Sequence, residues 1–424
     1  MLLANWNIAL RWLHRGIVSV WENDNGLQWH GVLTMTNFKW ILRTAGIAAC
    51  VAAMLISAPQ AQAQIAELEA QNIKLAIDRN DIAVSGISSG AAMAHQVHIA
   101  HSAELAGVGM VAGPPYRCAD YFKGSTEFPV TSDVTAVGLC TAYYKKVGLP
   151  LDAMAKQPIE PSRLHELIDD AAKANKVDAL KGVCGDHVFL IAGAIDDTVP
   201  AKVTDATADL YRWLLGKCGD DSYVKAHLTV EKRPGMPHTM PTDSSAEPAQ
   251  CAAGSPYIAD CDYPGASDIL RFLHPKRTAG QPANRPPNPE NLIKFSQRNV
   301  IGGFNPQGLM HENGYLYVPE KCRKGETCSL HIALHGCHQN EDQINEGTKD
   351  PSKRYLFPID AGYNDVAERY GIVVLYPQAS ATGSTGGNPS GCWDWWGYAS
   401  PGYYYQKDAI QIRNIWKIVD ALAK

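Results

Sequence analysis

Short apolar runs alternate with amphipathic stretches along most of this chain. Residues 81–86 (DIAVSG) form an apolar run closed by glycine, and residues 90–101 (GAAMAHQVHIAH) follow with small and apolar residues at helical spacing. GVGMVAG (107–113) and HVFLIAG (187–193) repeat the apolar run, and TDATADLYRWLLGK (204–217) carries a helical stripe. HLTVEKR (227–233) alternates as a strand does, then enters the proline-rich loop PGMPHTMPTD. YLYVP (315–319), SLHIALHG (329–336), YNDVAERY (363–370) and GIVVLYPQ (371–378) resume the rhythm, and a helix over 408–424 closes the chain. Strands that alternate with helices predict an α/β fold, a mostly parallel sheet with helices on both faces.

Two segments break the rhythm. Residues 114–181 read as a partly helical cap inserted between strands, and the proline- and asparagine-rich stretch 275–300 reads as a linker. The expected organisation is a single catalytic domain over 64–424, with one half over 64–274, a proline-rich connection over 275–303 and a second half over 304–424.

The N-terminus changes the picture more than composition does. From Met35, basic Lys39 and Arg43 precede an apolar run over 44–58, and Ala61 and Ala63 sit at the positions a signal peptidase reads. Residues 35–63 are expected to be a cleaved export signal, and residues 1–34 an upstream extension. The run is shorter than the ~20 apolar residues of a spanning helix, so no stable membrane insertion is expected. Beyond the signal stand ten cysteines, an even number that favours disulfides in an exported chain, secreted or periplasmic. The net charge of −5 and the lack of a basic stripe argue against a nucleic-acid partner.

The candidate chemistry begins at Gly86-Ile87-Ser88-Ser89-Gly90, a G-x-S-x-G run set between an apolar strand and a small-residue helix. That setting suits a nucleophile elbow, which lifts Ser88 above the sheet at a helix N-terminus. A serine hydroxyl needs a histidine to take its proton and an acid to orient that histidine. Asp196 follows the strand HVFLIAG, and His238 lies 42 residues later on the proline-rich loop, in the order serine, acid, histidine. Asp197 is the rival acid. Backbone amides of Ser89 and of Cys337, within LHGCHQ, are the candidate oxyanion donors. A metal site of His335, Cys337 and His338 is the competing reading of that loop; the serine mechanism itself needs no cofactor. Trp393, Trp395 and Trp396 lie on a glycine-rich stretch and are candidate substrate-binding residues.

The LHG strand follows the elbow by some 250 residues, whereas α/β-hydrolases ordinarily place it earlier. The chain therefore reads as a circularly permuted α/β-hydrolase, with its last helix beside the elbow strand and Lys424 near residues 75–80. GISSGAAMA, the Asp196 loop, PHTMPTD, SPYIADCDYPGA, LHGCHQ and CWDWW together resemble the extracellular poly(3-hydroxybutyrate) depolymerases of the permuted, single-domain kind, over roughly residues 80–424. The resemblance implies Ser88, Asp196 and His238 as triad, and the Ser89 and Cys337 amides as oxyanion hole. It implies hydrolysis of a polyester or oligoester through an acyl-enzyme. Feruloyl or acetylxylan esterase activity is the alternative within enzymes, and a non-catalytic binding protein on the same scaffold the alternative outside them. Cys337 and Cys392 flank the expected active site and are expected to pair, with Cys251–Cys261 and Cys322–Cys328 as local bridges. Cys118, Cys140, Cys184 and Cys218 are left unassigned.

Overall fold

The computed structural model describes residues 75–126, 129–243, 251–252, 254–280, 282–283, 285–302, 309–341, 357–382 and 387–423. The expected signal over 35–63 and the extension before it lie outside the described residues.

Among the described residues, eight strands make one sheet. In chain order they are β1 (Ala76–Ile87), β2 (Gly107–Val111), β3 (His187–Gly193), β4 (Leu228–Arg233), β7 (Leu292–Ser296), β8 (Asn313–Tyr317), β9 (Thr327–Leu334) and β10 (Ile372–Tyr376). Their order across the sheet is β4-β3-β2-β1-β9-β10-β8-β7. All pairs are parallel except those of β8, which runs antiparallel to β10 and β7. β5 (Met240–Thr242) and β6 (Ile258–Asp260) form a separate parallel ribbon. Strands read as continuous apolar runs, such as GVGMV and IVVLY, are buried at every residue because helices cover both faces. The edge strands β4 and β7 are only half-buried, in keeping with their mixed sequences.

The pleat sends alternate residues of β1 into two cores. Ile82 and Val84 join the one covered by α1 (Ser89–Ala100), α2 (Ala201–Leu215) and α5 (Ile410–Leu422). Ala83 and Ile87 join the other, under α3 (Gly265–Leu273) and α4 (Tyr363–Tyr370). Residues 114–181 form the expected cap of short helices, including Pro161–Lys173, between β2 and β3.

The centre of the sheet shows the permuted connectivity. β9, from the second half of the chain, lies between β1 and β10 and pairs Ala333 with Ser85 and Leu334 with Gly86. The two halves therefore share one sheet. The 275–303 stretch is a correction. It contains β7, whose Ile293 pairs with Leu316 on β8, and a helix over Gln297–Ile301. A five-residue strand with lysine at its centre hides easily among prolines and asparagines, and it needs only one neighbour to form at an edge. Among the described residues no helix is long and apolar enough to cross a membrane.

Candidate active site

Ser88 sits at the turn between β1 and α1 with φ 56°, a left-handed conformation rare for a residue with a Cβ. The turn is held by its neighbours. The Ser88 amide donates to Val111 O at 2.9 Å, and its carbonyl accepts from the Ala92 amide at 3.0 Å. Gly86 and Gly90 close the elbow because nothing larger fits. A Cβ on Gly86 would lie 2.4 Å from the Gly90 carbonyl, and one on Gly90 would lie 2.3 Å from the Leu334 and His335 carbonyl oxygens. The hydroxyl thus stands at the carboxyl edge of the sheet, where α/β folds keep their sites.

Asp196 follows the end of β3 and is buried. Its Oδ1 accepts the amides of Thr198 and Val199, both at 2.8 Å, and its Oδ2 meets His238 Nδ1 at 2.8 Å. A carboxylate so held accepts from Nδ1–H and leaves the Nε2 lone pair of His238 free to take a proton. Asp197 points elsewhere. Its side chain is 69% exposed and pairs with Lys146 at 3.3 Å. Slight burial would raise its carboxyl, but the Lys146 ammonium outweighs this and holds it below the usual carboxylate range.

The loop after β9 lies against the elbow. A Cβ on Gly336 would sit 3.4 Å from Ser88 Cβ and 3.3 Å from Ile87 O. Among the described residues neither the Ser89 amide nor the Cys337 amide makes a hydrogen bond, so both are available to an oxyanion. His335 is a structural group. It is fully buried, donates from Nδ1 to Gly336 O at 2.7 Å and accepts the Ala379 amide on Nε2 at 3.1 Å. Burial lowers its pKa to about 4, so it stays neutral. Among the described residues no three histidine, cysteine, aspartate or glutamate side chains gather as a metal site would need.

The structure pairs Cys337 with Cys392, Cys251 with Cys261 and Cys322 with Cys328, and joins the four unassigned cysteines as Cys118–Cys140 and Cys184–Cys218. The Cys337–Cys392 bond ties the loop after β9 to the tryptophan-rich turn, whose Trp393 amide donates to Ser89 Oγ at 3.3 Å. Trp393 itself is a correction. It is fully buried with its ring 5.2 Å from that of His335, so it supports the loop and has no surface to give a substrate. Trp395 is half-buried and packs towards the Cys118–Cys140 cluster. Trp396 lines a cleft of about 550 Å³ between cap residues Lys123 and Thr131 and the turn at Tyr398. Asp394 holds that turn by accepting four backbone amides, from Gly397 to Ser400, at 2.7–3.1 Å.

One site residue was missed. Gln339 accepts the Gly336 amide at 2.5 Å and donates to the carbonyls of Pro256 and Tyr257 at 3.0 Å. It therefore fastens the loop after β9 to the segment whose Tyr257 ring stands 6.0 Å from that of His238. The glutamine lies within LHGCHQ, but a side chain that works through backbone partners 82 and 83 residues away leaves no local signal.

No family model matches the chain. It is 33% identical over 353 residues to a poly(3-hydroxybutyrate) depolymerase of Delftia acidovorans, covering 82% of this chain and 61% of that protein. Against that relative the chain spans a little under two thirds of the length. A polyhydroxybutyrate depolymerase of Talaromyces funiculosus is 29% identical over 378 residues, covering 86% of this chain and 93% of that protein. Among solved structures, a serine-to-alanine variant of a PHB depolymerase complexed with an R3HB trimer superposes with TM-score 0.64 at 26% identity, covering 83% of this chain and 98% of that one. The PHB depolymerase of Penicillium funiculosum superposes with TM-score 0.62 at 25% identity, covering 82% and 96%.

Proposed function

We propose that this chain is a member of the poly(3-hydroxybutyrate) depolymerase family, an exported serine esterase that cleaves poly(3-hydroxybutyrate) or its oligomers. The observation that carries the reading is the 2.8 Å bond between His238 Nδ1 and the buried Asp196, at the sheet edge that presents Ser88. His238 Nε2 takes the Ser88 proton as Oγ attacks the ester carbonyl. The Ser89 and Cys337 amides receive the oxyanion, and His238 gives the proton to the departing hydroxyl of the next monomer. Water then enters by the same path, and the 3-hydroxyacyl group leaves as a free acid. The five disulfides among the described residues and the signal-like residues 35–63 support an oxidising, exported location. Trp395 and Trp396 are proposed to wall the substrate crevice.

The test compares wild type and Ser88→Ala on a poly(3-hydroxybutyrate) film, on the soluble trimer, and on feruloyl and acetyl esters. Release of 3-hydroxybutyrate by wild type and not by the variant is expected. Preference for the feruloyl or acetyl esters would move the chain to the carbohydrate esterases, and no hydrolysis at all would leave a binding protein.

A further inference from the structure

A chain of polar side chains runs through the core beneath the elbow, and nothing in the mechanism uses it. His274 Nδ1 meets Asp81 Oδ1 at 2.7 Å, and its Nε2 meets His331 Nδ1 at 3.2 Å. His331 Nε2 meets Ser85 Oγ at 2.7 Å, and Ser85 Oγ meets the Tyr363 hydroxyl at 2.7 Å. Ser329 Oγ closes the far end, donating to Asp81 Oδ2 and accepting from Arg277 Nε at 3.2 Å. Ser85, His274, Ser329 and His331 have no exposed surface.

The protons can be counted link by link. With both histidines neutral, Tyr363 donates to Ser85, Ser85 to His331 Nε2, His331 Nδ1–H to His274, and His274 Nδ1–H to the Asp81 carboxylate. The reverse direction needs a protonated His274 and leaves the Tyr363 hydroxyl proton without an acceptor among the described residues. A buried network with every member satisfied is rigid, and its cost when broken is high.

Its placement gives the rigidity a use. Ser85 lies three residues before Ser88 on β1, and His331 lies on β9, which ends in the loop bearing Cys337. The β1–β9 ladder is irregular between Ile77 and Ile82, where β1 carries extra residues and turns Asp81 inward. The elbow and the oxyanion loop are therefore aligned by the short paired stretch Ile82–Gly86 against Leu330–Leu334. Within it, Ser85 and His331 bond across the strands.

We propose that His331 is a positioning residue: its bond to Ser85 sets β9 against β1, and so sets the Cys337 amide against the Ser88 hydroxyl. This rests on the esterase reading above. Misplacement of a reacting geometry by about 1 Å costs ~10²-fold in rate, so a loosened pair of strands shows in turnover before it shows in binding.

Two variants separate positioning from mere packing. His331→Gln keeps a polar atom where Nε2 stood and so keeps the bond to Ser85. His331→Asn keeps one where Nδ1 stood, bonds His274 and loses Ser85. Hydrolysis of the 3-hydroxybutyrate trimer is followed with thermal melting and with inhibition by butaneboronic acid, whose tetrahedral serine adduct mimics the oxyanion. His331→Asn is expected to lower kcat about 10- to 100-fold with KM within about twofold, and to weaken boronate inhibition by a like factor. His331→Gln is expected to stay within about threefold of wild type, although both variants lower the melting temperature. Equal kcat in the two variants, or a change confined to KM, would overturn the proposal. If neither variant folds, Ser85→Ala removes only the hydroxyl and decides the matter by the same kcat and boronate criteria. A Ser88→Ala protein that still hydrolyses the trimer would instead overturn the esterase reading and leave the strand alignment untouched.

Discussion

Arg79 donates from Nε to the carbonyl of Ala423 at 2.6 Å, across 344 positions of sequence, and its guanidinium also meets Asp420 at 2.9 Å. The first strand of the sheet and the last helix of the chain are thus joined end to end. Strands β1 to β4 lead to Ser88, Asp196 and His238; strands β9 and β10 lead to the loop of Cys337 and the tryptophan-rich turn. Termini that lie together in one domain are what allow a chain to be cut elsewhere and rejoined here. The Arg79–Asp420 pair itself is exposed and contributes little to stability, so the closeness of the ends comes from packing.

Substitution at the triad should separate the two neighbouring aspartates. Ser88→Ala is expected to lower kcat by about 10⁶-fold, since triad members act as a unit. Asp196→Asn should cost about 10⁴-fold, because the amide no longer holds His238 in the tautomer that accepts the serine proton. Asp197→Asn loses an exposed ion pair with Lys146, keeps an oxygen for the Thr198 hydroxyl, and should change kcat less than about threefold. Steady-state kinetics on the soluble trimer checks all three, and a larger loss at Asp197 would move the acid by one position.

What could be read before the fold was known follows how local each signal is. Ser88 was legible because its strand, its two glycines and its helix are contiguous. The loop beside the elbow was legible because an apolar strand leads straight into His335-Gly336. The Ser85–His331 bond was not legible, since its partners stand 246 residues apart and each looks like an ordinary strand residue. Trp393 was misread because a tryptophan in a glycine-rich turn gives no sign of which way its ring faces. The pairing of Cys118 with Cys140 and of Cys184 with Cys218 is set by where the cap and α2 bring them, which spacing does not encode.

The disulfide beside the site should matter to rate more than the remote ones. Cys337–Cys392 fixes the loop proposed to offer an oxyanion amide, whereas Cys322–Cys328 closes a six-residue separation at the start of β9, the end away from the site. Cys392→Ser is expected to lower kcat about tenfold or more, within the range of a disturbed oxyanion donor. The double variant Cys322→Ser with Cys328→Ser should leave kcat within about twofold. Peptide mapping without reduction should recover the Cys337–Cys392 linked pair from wild type, and a free thiol at Cys337 there would refute the argument.

Acid should weaken the fold through histidines that the core keeps neutral. Burial lowers His95 to about 3 and, for His101 and His335, to about 4, with nearby Lys407 adding to the effect at His101. An ordinary histidine titrates near 6.5, so between pH 6.5 and 4 the unfolded chain binds protons that the folded chain refuses. Stability contributed by these three groups is present above pH 6.5 and is lost as the pH falls towards 4. With three protons in play the slope reaches about 4 kcal/mol per pH unit near pH 5. Urea unfolding at pH 7, 6 and 5 measures it. His101→Phe, which keeps a ring against Trp416 and removes one titrating group, should flatten the slope by about one proton.

The last prediction concerns the chain's connectivity. If residues 64–274 were an independent domain, they would carry Ser88, Asp196 and His238 and should hydrolyse esters alone. In the structure that fragment loses β9, so β1 becomes an open edge and the apolar face of the elbow loses Leu334 and the loop at Gly336. The fragment is therefore expected to aggregate or to remain unfolded, without esterase activity. The converse experiment rejoins the chain in the other order. A short glycine–serine linker from residue 423 to residue 75, with new ends opened between residues 279 and 288, should yield a protein that folds cooperatively and keeps kcat within about tenfold. The opening falls outside every strand and helix of the sheet, and the joint spans ends already held together at Arg79 and Ala423. Circular dichroism, urea unfolding and trimer hydrolysis read both proteins. An active, cooperatively folding 64–274 fragment, or a permutant that cannot fold, would mean that the two halves do not share one core.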